Sequence, residues 1–376
     1  MKKHKQQYKH YYLTSESVTE GHPDKVADLI SDNILDACLE QDKDSRVAVE
    51  TMLSNNKVTV AGQITSNAKL DIEDIIRRTL KQVGYIDEKT TMNYKNCIVD
   101  INITKQSKDI ALGVDKGEAG DQGIMFGFAC DETPEYMPYP IMIANKISKK
   151  IADARKRKEI EYLKPDGKVQ VTVEYINNVP LRIDTIVLSV QHSEEVELKI
   201  LQKDILEKVI FKVVDQDMID TETKFYINPT GRFVIGGAVA DTGLTGRKIM
   251  VDTYGGVSRH GGGAFSGKDG TKVDRSASYM LRHIAKNVVA NGLARRCEIQ
   301  MSYGIGLNEP LSIYIDCFGT NRFPEWLIIK KIKEKFDLTP QGIIDYLKLK
   351  EPIYSKTTNY GHFGREGFTW ENFIQL

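Results

Sequence analysis

The sequence predicts an α+β fold. Two observations carry that expectation. Apolar positions switch repeatedly between helical and strand spacing along the chain, and the strands come as hairpins grouped with helices, not as single strands alternating with them. A length of 376 residues gives room for three such groups, although no repeat at the level of sequence joins them.

The elements follow in order. Over 24–41, Val26, Leu29, Ile30, Ile34, Ala37 and Cys38 recur at helical spacing, with Pro23 in the first turn, where its missing amide hydrogen costs nothing. Residues 46–53 and 57–65 alternate in polarity around Ser54-Asn55-Asn56, which predicts an antiparallel hairpin. Ile72, Ile75, Ile76, Thr79, Leu80 and Val83 form one face of a second helix that Gly84 stops, and 97–104 reads as a strand. A second hairpin is expected from 169–175 and 183–191 around Asn177-Asn178-Val179-Pro180, followed by a helix over 195–214. A helix near 273–291, strands near 298–303 and 311–318, and a helix over 324–336 complete the pattern. Two glycine-rich stretches, 113–127 and 236–270, interrupt it. Long irregular segments in compact domains usually carry function.

Composition excludes several classes. The 41% hydrophobic and 28% charged residues are the balance of a soluble folded chain, not a disordered one. Lys+Arg 52 against Asp+Glu 52 leaves no positive excess for a general nucleic-acid binder or a polybasic membrane-surface protein. Cys38, Cys97, Cys130, Cys297 and Cys317 are odd in number and scattered, which fits reduced core thiols better than a disulfide frame or a zinc site. The basic residues 1–12 lead into no apolar core, and no uncharged apolar run approaches the ~18 residues of a membrane span. A cytoplasmic protein with no nucleic-acid or membrane partner is expected.

The chemistry should lie in the stretch from Gly255 to Asp269. Glycines allow close backbone approach to a ligand, and successive amides can form an anion nest. Gly262 to Lys268 matches Gly-x4-Gly-Lys. However, Asp269 stands where a Walker loop has Ser or Thr, and Gly270 delays the helix that should follow. Arg247, Lys248, Arg259, Lys268 and Lys272 gather five cations around this segment, the composition of a polyphosphate cradle. Magnesium, bound by hard oxygen ligands, would accompany such a cradle. Asp274 and Asp24 are the candidates, against the blander readings of a helix cap for Asp274 and of an ordinary satisfied histidine for His22.

These residues belong to longer blocks: Ser15 to Lys25, Gly120-Asp121-Gln122-Gly123, Gly231 to Gly237, Gly243 to Lys248, Asp252 to Gly256, Gly261 to Lys268 and Gly361 to Glu366. In this order, over nearly the whole chain, they resemble the signature blocks of the S-adenosylmethionine synthetase family. The resemblance implies three similar α+β domains with approximate threefold internal symmetry, at 12–109, 120–231 and 232–372, with sheets packed at a dimer interface. It implies a homodimer, often paired into a homotetramer, with active sites between subunits. The implied reaction joins ATP and L-methionine by attack of the methionine sulfur on the ribose 5′ carbon, then hydrolyses tripolyphosphate to phosphate and pyrophosphate. Two Mg2+ per site and K+ are implied cofactors.

Residue roles carry over in the same way. Asp24 and Asp274 would hold magnesium and Glu50 would serve the potassium site, while His22 sits by the leaving oxygen. Lys168, Arg247, Lys248, Lys268 and Lys272 would contact the polyphosphate. Asp121, Asp241 and Phe233 would hold the nucleoside or methionine, with Glu16 in the ATP region, Gln106 a methionine contact and Ala264 in the substrate-binding set. The segment 106–123 resembles the family's lid, although Lys108 replaces a usual proline and the spacer 116–119 is short. Gln63 stands where relatives usually carry a glutamate expected to bind the methionine ammonium. Two other readings remain open at this point. A different ATP-using phosphotransferase could use the same cations. A nucleotide-binding regulatory subunit would be expected to lack His22, Lys268 or Asp274, and all three are present.

Overall fold

Residues 9–105 and 117–376 are described by the computed structural model, and three sheets organise them. The first unit runs α1 (Pro23–Gln41), β2 (Arg46–Ser54), β3 (Lys57–Thr65), α2 (Ile72–Val83), β4 (Ile98–Thr104). The second repeats that order as α3 (Tyr139–Lys156), β6 (Leu163–Ile176), β7 (Val179–His192), α4 (Leu198–Lys208), β8 (Lys224–Ile227). The third, after the one-turn α5 (Ile249–Asp252), has α6 (Val273–Ala290), β10 (Arg296–Tyr303), β11 (Ser312–Asp316) and α7 (Glu325–Lys335), followed by α8 (Pro340–Leu347). Each unit is a helix, an antiparallel hairpin and a second helix. In the first two a last strand runs parallel beside the hairpin, β4 on β3 and β8 on β7.

Each sheet gains one more strand from outside its unit, always antiparallel to the first hairpin strand. β1 (His10–Val18) precedes the first unit but joins β6 of the second. β5 (Gly123–Cys130) precedes the second unit but joins β10 of the third. The short β9 (Gly243–Leu244) precedes the third but joins β2 of the first. The chain therefore hands each leading strand to the next unit, and the cycle closes. No sheet is built from one contiguous stretch.

Local sequence explains the boundaries. Asn177 and Asn178 both take positive φ, 51° and 64°, the pairing a two-residue hairpin turn demands. Val179 and Pro180 therefore open β7 instead of lying in the turn. Gly84 caps α2 at φ 101°. The helix expected over 195–214 is shorter, ending at Lys208 and tightening into a 3-10 turn over Ile210–Lys212. The 113–127 stretch is not all loop, because β5 occupies its C-terminal part and is almost wholly buried. In the second unit Val169, Val171 and Val173 of β6 and Ile186, Leu188 and Val190 of β7 face Ile143, Ile147 and Ile151 of α3. All five cysteines are free and buried. Among the described residues no helix is long and apolar enough to cross a membrane.

Candidate active site

The start of α1 builds the first group. His22 caps the helix: its Nδ1 accepts the Asp24 amide at 3.2 Å, so the ring proton sits on Nε2. Burial and the nearby Lys248 push the His22 pKa down to about 4, against the pull of Asp24 and Asp241, so the ring is a neutral donor at physiological pH. Asp24 accepts the Leu244 amide at 3.0 Å, pairs with Lys248, and lies 3.6 Å from Arg247. Burial works to raise its pKa, but the Lys248 ammonium and the Leu244 amide hold it below the usual carboxylate range. Lys168 on β6 reaches across to Glu16 on β1 at 2.8 Å. Lys168 and Asp241 both act on the His22 ring, which places them in this group. Phe233 is held at its backbone, its amide donating to His192 Nε2 at 3.0 Å.

The second group lines a cleft of about 350 Å³ with Glu50, Gln63, Ala264 and Lys268, beside Thr245 and Ser266. Glu50 and Gln63 reach it from adjacent strands, Glu50 opposite Ala61 and Gln63 opposite Ala48. Lys268 pairs with Asp274 at 2.8 Å, and Asp274 lies in the first turn of α6. Gly123, two residues after Asp121, lies against Asp274. The two groups adjoin, since a methyl on Gly246 would fall 2.6 Å from the Ala264 Cβ. Among the described residues no hydrogen bond or ion pair joins a member of one group to a member of the other.

Some expected residues have partners of their own or fall outside. Arg259 bonds Glu298 at 2.7 Å and Lys272 bonds Asp269 at 2.6 Å, and neither lines the cleft of the second group. Several amides of the glycine-rich loop are already bonded within the fold. The Gly267 amide bonds Asp32, Gly262 bonds His260, and Asp269 bonds Val47. Gly267 is required for a different reason: at φ +79° any Cβ would fall 1.9 Å from the Val49 carbonyl, where the loop lies on β2. Gln106 and most of 106–123 lie outside the described residues.

Sequence reasoning missed what holds the groups in place. Asp24, Asp28, Asp32 and Asp36 recur every four residues along α1, all buried. Each accepts a backbone amide from a distant segment: Leu244 for Asp24, Gly246 for Asp28, Gly267 for Asp32, and both Tyr354 and Ser355 for Asp36. Like charges at this spacing destabilise a helix, so such a stripe signals outside partners. Lys25, on the helix itself, supplies one cation, bonding Asp28 at 2.9 Å and the distant Asp252 at 2.6 Å. Burial still pushes the Asp252 pKa up to about 7. Arg275 supplies another, its guanidinium bonding both Asp32 oxygens. The acid stripe thus suspends the 243–248 and 265–268 segments that carry Arg247, Lys248 and Lys268.

Comparison with known proteins identifies the family. Three family profiles match in sequence: "S-adenosylmethionine synthetase, N-terminal domain" over 10–108, "central domain" over 116–233 and "C-terminal domain" over 235–372. An S-adenosylmethionine synthase of Desulfosudis oleivorans is 55% identical over 371 residues, covering 96% of each chain. One of Myxococcus xanthus is 56% identical over 366 residues, 96% of this chain and 92% of its own. One of Finegoldia magna is 52% identical over 379 residues, 96% and 97%. The chain belongs to the S-adenosylmethionine synthetase family, the methionine adenosyltransferases.

Proposed function

We propose that the protein forms S-adenosylmethionine from ATP and L-methionine, by attack of the methionine sulfur on the ribose 5′ carbon, and then hydrolyses the tripolyphosphate released. The observation that carries this reading is the pairing of Asp24 with Lys248 and Arg247 beside a cleft where Asp274 pairs with Lys268. The thioether sulfur already has a lone pair and needs no general base. What the reaction requires is alignment and positive charge fixed in advance for a tripolyphosphate leaving group. Neutral His22, with Nδ1 occupied by the Asp24 amide, presents Nε2–H as a donor to the leaving oxygen. Arg247, Lys248, Lys168 and Lys268 take up charge as it develops on the phosphates. Lys272 would join them only by leaving Asp269.

Asp24 and Asp274 suit magnesium. Both offer carboxylate oxygens only, and magnesium is usually bound through one or two carboxylates plus substrate phosphates. Bound there, two Mg2+ would neutralise polyphosphate charge. Glu50 in the cleft suits K+.

A second copy of the chain completes the reading. Met52 and Ile98 are exposed on the outer face of one sheet, and Ile124 and Tyr314 on another. A dimer would cover these side chains and bring the first group of one chain to the second group of its partner. His22→Ala and Lys268→Ala, each inactive alone, should then regain activity when unfolded and refolded together. No activity in the mixture would argue against shared sites, and a monomer in sedimentation would exclude them.

Gln63 is the clearest departure from the family pattern. A neutral amide at the methionine ammonium replaces a charged acceptor. Hydrogen bonds to charged groups contribute roughly 1.5–3 kcal/mol and neutral ones about 0.5–1.5. Gln63→Glu should lower the methionine KM about five- to tenfold and leave the ATP KM nearly unchanged. An unchanged methionine KM would place the ammonium elsewhere. The reading as a whole is tested by mixing the protein with ATP, methionine, Mg2+ and K+ and looking for the sulfonium product by mass spectrometry. Phosphate release without sulfonium would favour a different phosphotransferase.

A further inference from the structure

Tyr85 lies in none of the signature blocks, yet its hydroxyl bonds Gly21 inside one of them and Ala238 just past the end of another. It follows Gly84 at the end of α2 and its ring is buried. The hydroxyl donates to the Gly21 carbonyl at 2.9 Å and accepts the Ala238 amide at 3.2 Å. Gly21 immediately precedes His22. Ala238 lies in the 3-10 turn Gly237–Val239, whose Gly237 carbonyl accepts the Asp241 amide at 3.1 Å. A single oxygen thus bridges the backbone that carries His22 and the backbone that carries Asp241.

The fit around that oxygen is tight. Gly237 takes φ +64°, and a Cβ there would fall 2.5 Å from the Tyr85 hydroxyl. The Gly237 amide is fixed from the other side by the buried Asp166 carboxylate at 2.8 Å. The turn cannot shift toward or away from His22 without breaking the bond to Tyr85 or to Asp166.

We infer that Tyr85 is a positioning residue, whose hydroxyl fixes the spacing between His22 at the leaving oxygen and Asp241 at the nucleoside or methionine. The inference rests on the proposed function. It separates two chemistries that share the site. Joining sulfur to the ribose carbon requires both halves in register, and small misplacements of reacting groups are costly. Hydrolysis of tripolyphosphate supplied directly requires the phosphate contacts alone.

The test is Tyr85→Phe, which removes one oxygen, assayed for both activities in the intact protein with its melting temperature measured alongside. Formation of S-adenosylmethionine should fall in kcat by about tenfold or more. ATP KM and hydrolysis of added tripolyphosphate should stay within about twofold of the parent, a split that loss of fold would not produce. Equal loss of both activities, or no loss of either, would overturn the positioning role. Should Tyr85→Phe fail to fold, Gly237→Ala keeps the hydroxyl and pushes a methyl against it. The same split would support the inference, and two unchanged or equally reduced activities would overturn it. A parent protein that makes no S-adenosylmethionine overturns the proposed function first, before any variant is compared.

Discussion

Lys268→Ala should lower turnover by on the order of a hundredfold or more and leave the fold intact. The side chain lines the cleft, is about a quarter exposed at 28%, and bonds Asp274 at 2.8 Å. Removing the ammonium takes away charge aimed at the departing phosphates and leaves the Asp274 carboxylate facing them. Losing one preorganised contact of this kind typically costs roughly 2.7–4 kcal/mol in the transition state. The loss should appear in kcat at saturating ATP, with an unaltered circular-dichroism spectrum. Lys268→Arg should retain part of the activity, because the charge survives while its geometry changes. Full turnover in a folded Lys268→Ala protein would remove this residue from the chemistry.

The largest effect on stability is expected at Arg275. Its guanidinium and the Asp32 carboxylate are both fully buried, 2.7 Å apart. The same guanidinium donates to the Phe265 and Lys268 carbonyls and to Thr357. It also lies 4.3 Å from the centre of the Tyr354 ring. Arg275→Met leaves Asp32 charged, buried and without its cation, which typically costs about 3–5 kcal/mol. Denaturant unfolding should show the loss as a lower midpoint. Asp32→Asn in the Arg275→Met background should recover part of it, because the stranded charge is removed. A midpoint within error of the parent would mean that the pair is not what holds the 265–268 segment.

Periodicity made the first unit legible. The α1 stripe, the 46–65 hairpin and the Gly84 stop all follow from local chemistry, and each lies where the sequence places it. Elements whose reasons are not local were missed. β5 is buried on nearly every residue and so shows no alternation. α3 begins among Pro138 and Pro140, where proline is tolerated because the first helical turn needs no amide hydrogen there. β9 is two residues long and exists because β2 offers it an edge. At the site, motif residues were recognisable but their commitments were not. The sequence shows Lys272 and Arg259 as cations but not their partners Asp269 and Glu298. The four aspartates of α1 were visible as letters. Only the tertiary structure shows that their acceptors serve loops more than two hundred residues away.

The cyclic passing of leading strands constrains how the molecule can be made. Val18 lies opposite Lys168, Met52 opposite Leu244 and Cys130 opposite Arg296, and each pairing spans more than a third of the chain. A nascent polypeptide emerging from the ribosome cannot finish its first sheet until Leu244 is free, nor its third until β10 is. Until then β2 and β5 present unpaired backbone, the kind of edge that recruits foreign strands. Closing such long loops is also slow, because chain entropy is lost before the contacts repay it. Birth of this protein should therefore lean on chaperones, and fragments cut at the unit boundaries should aggregate instead of assembling as independent modules.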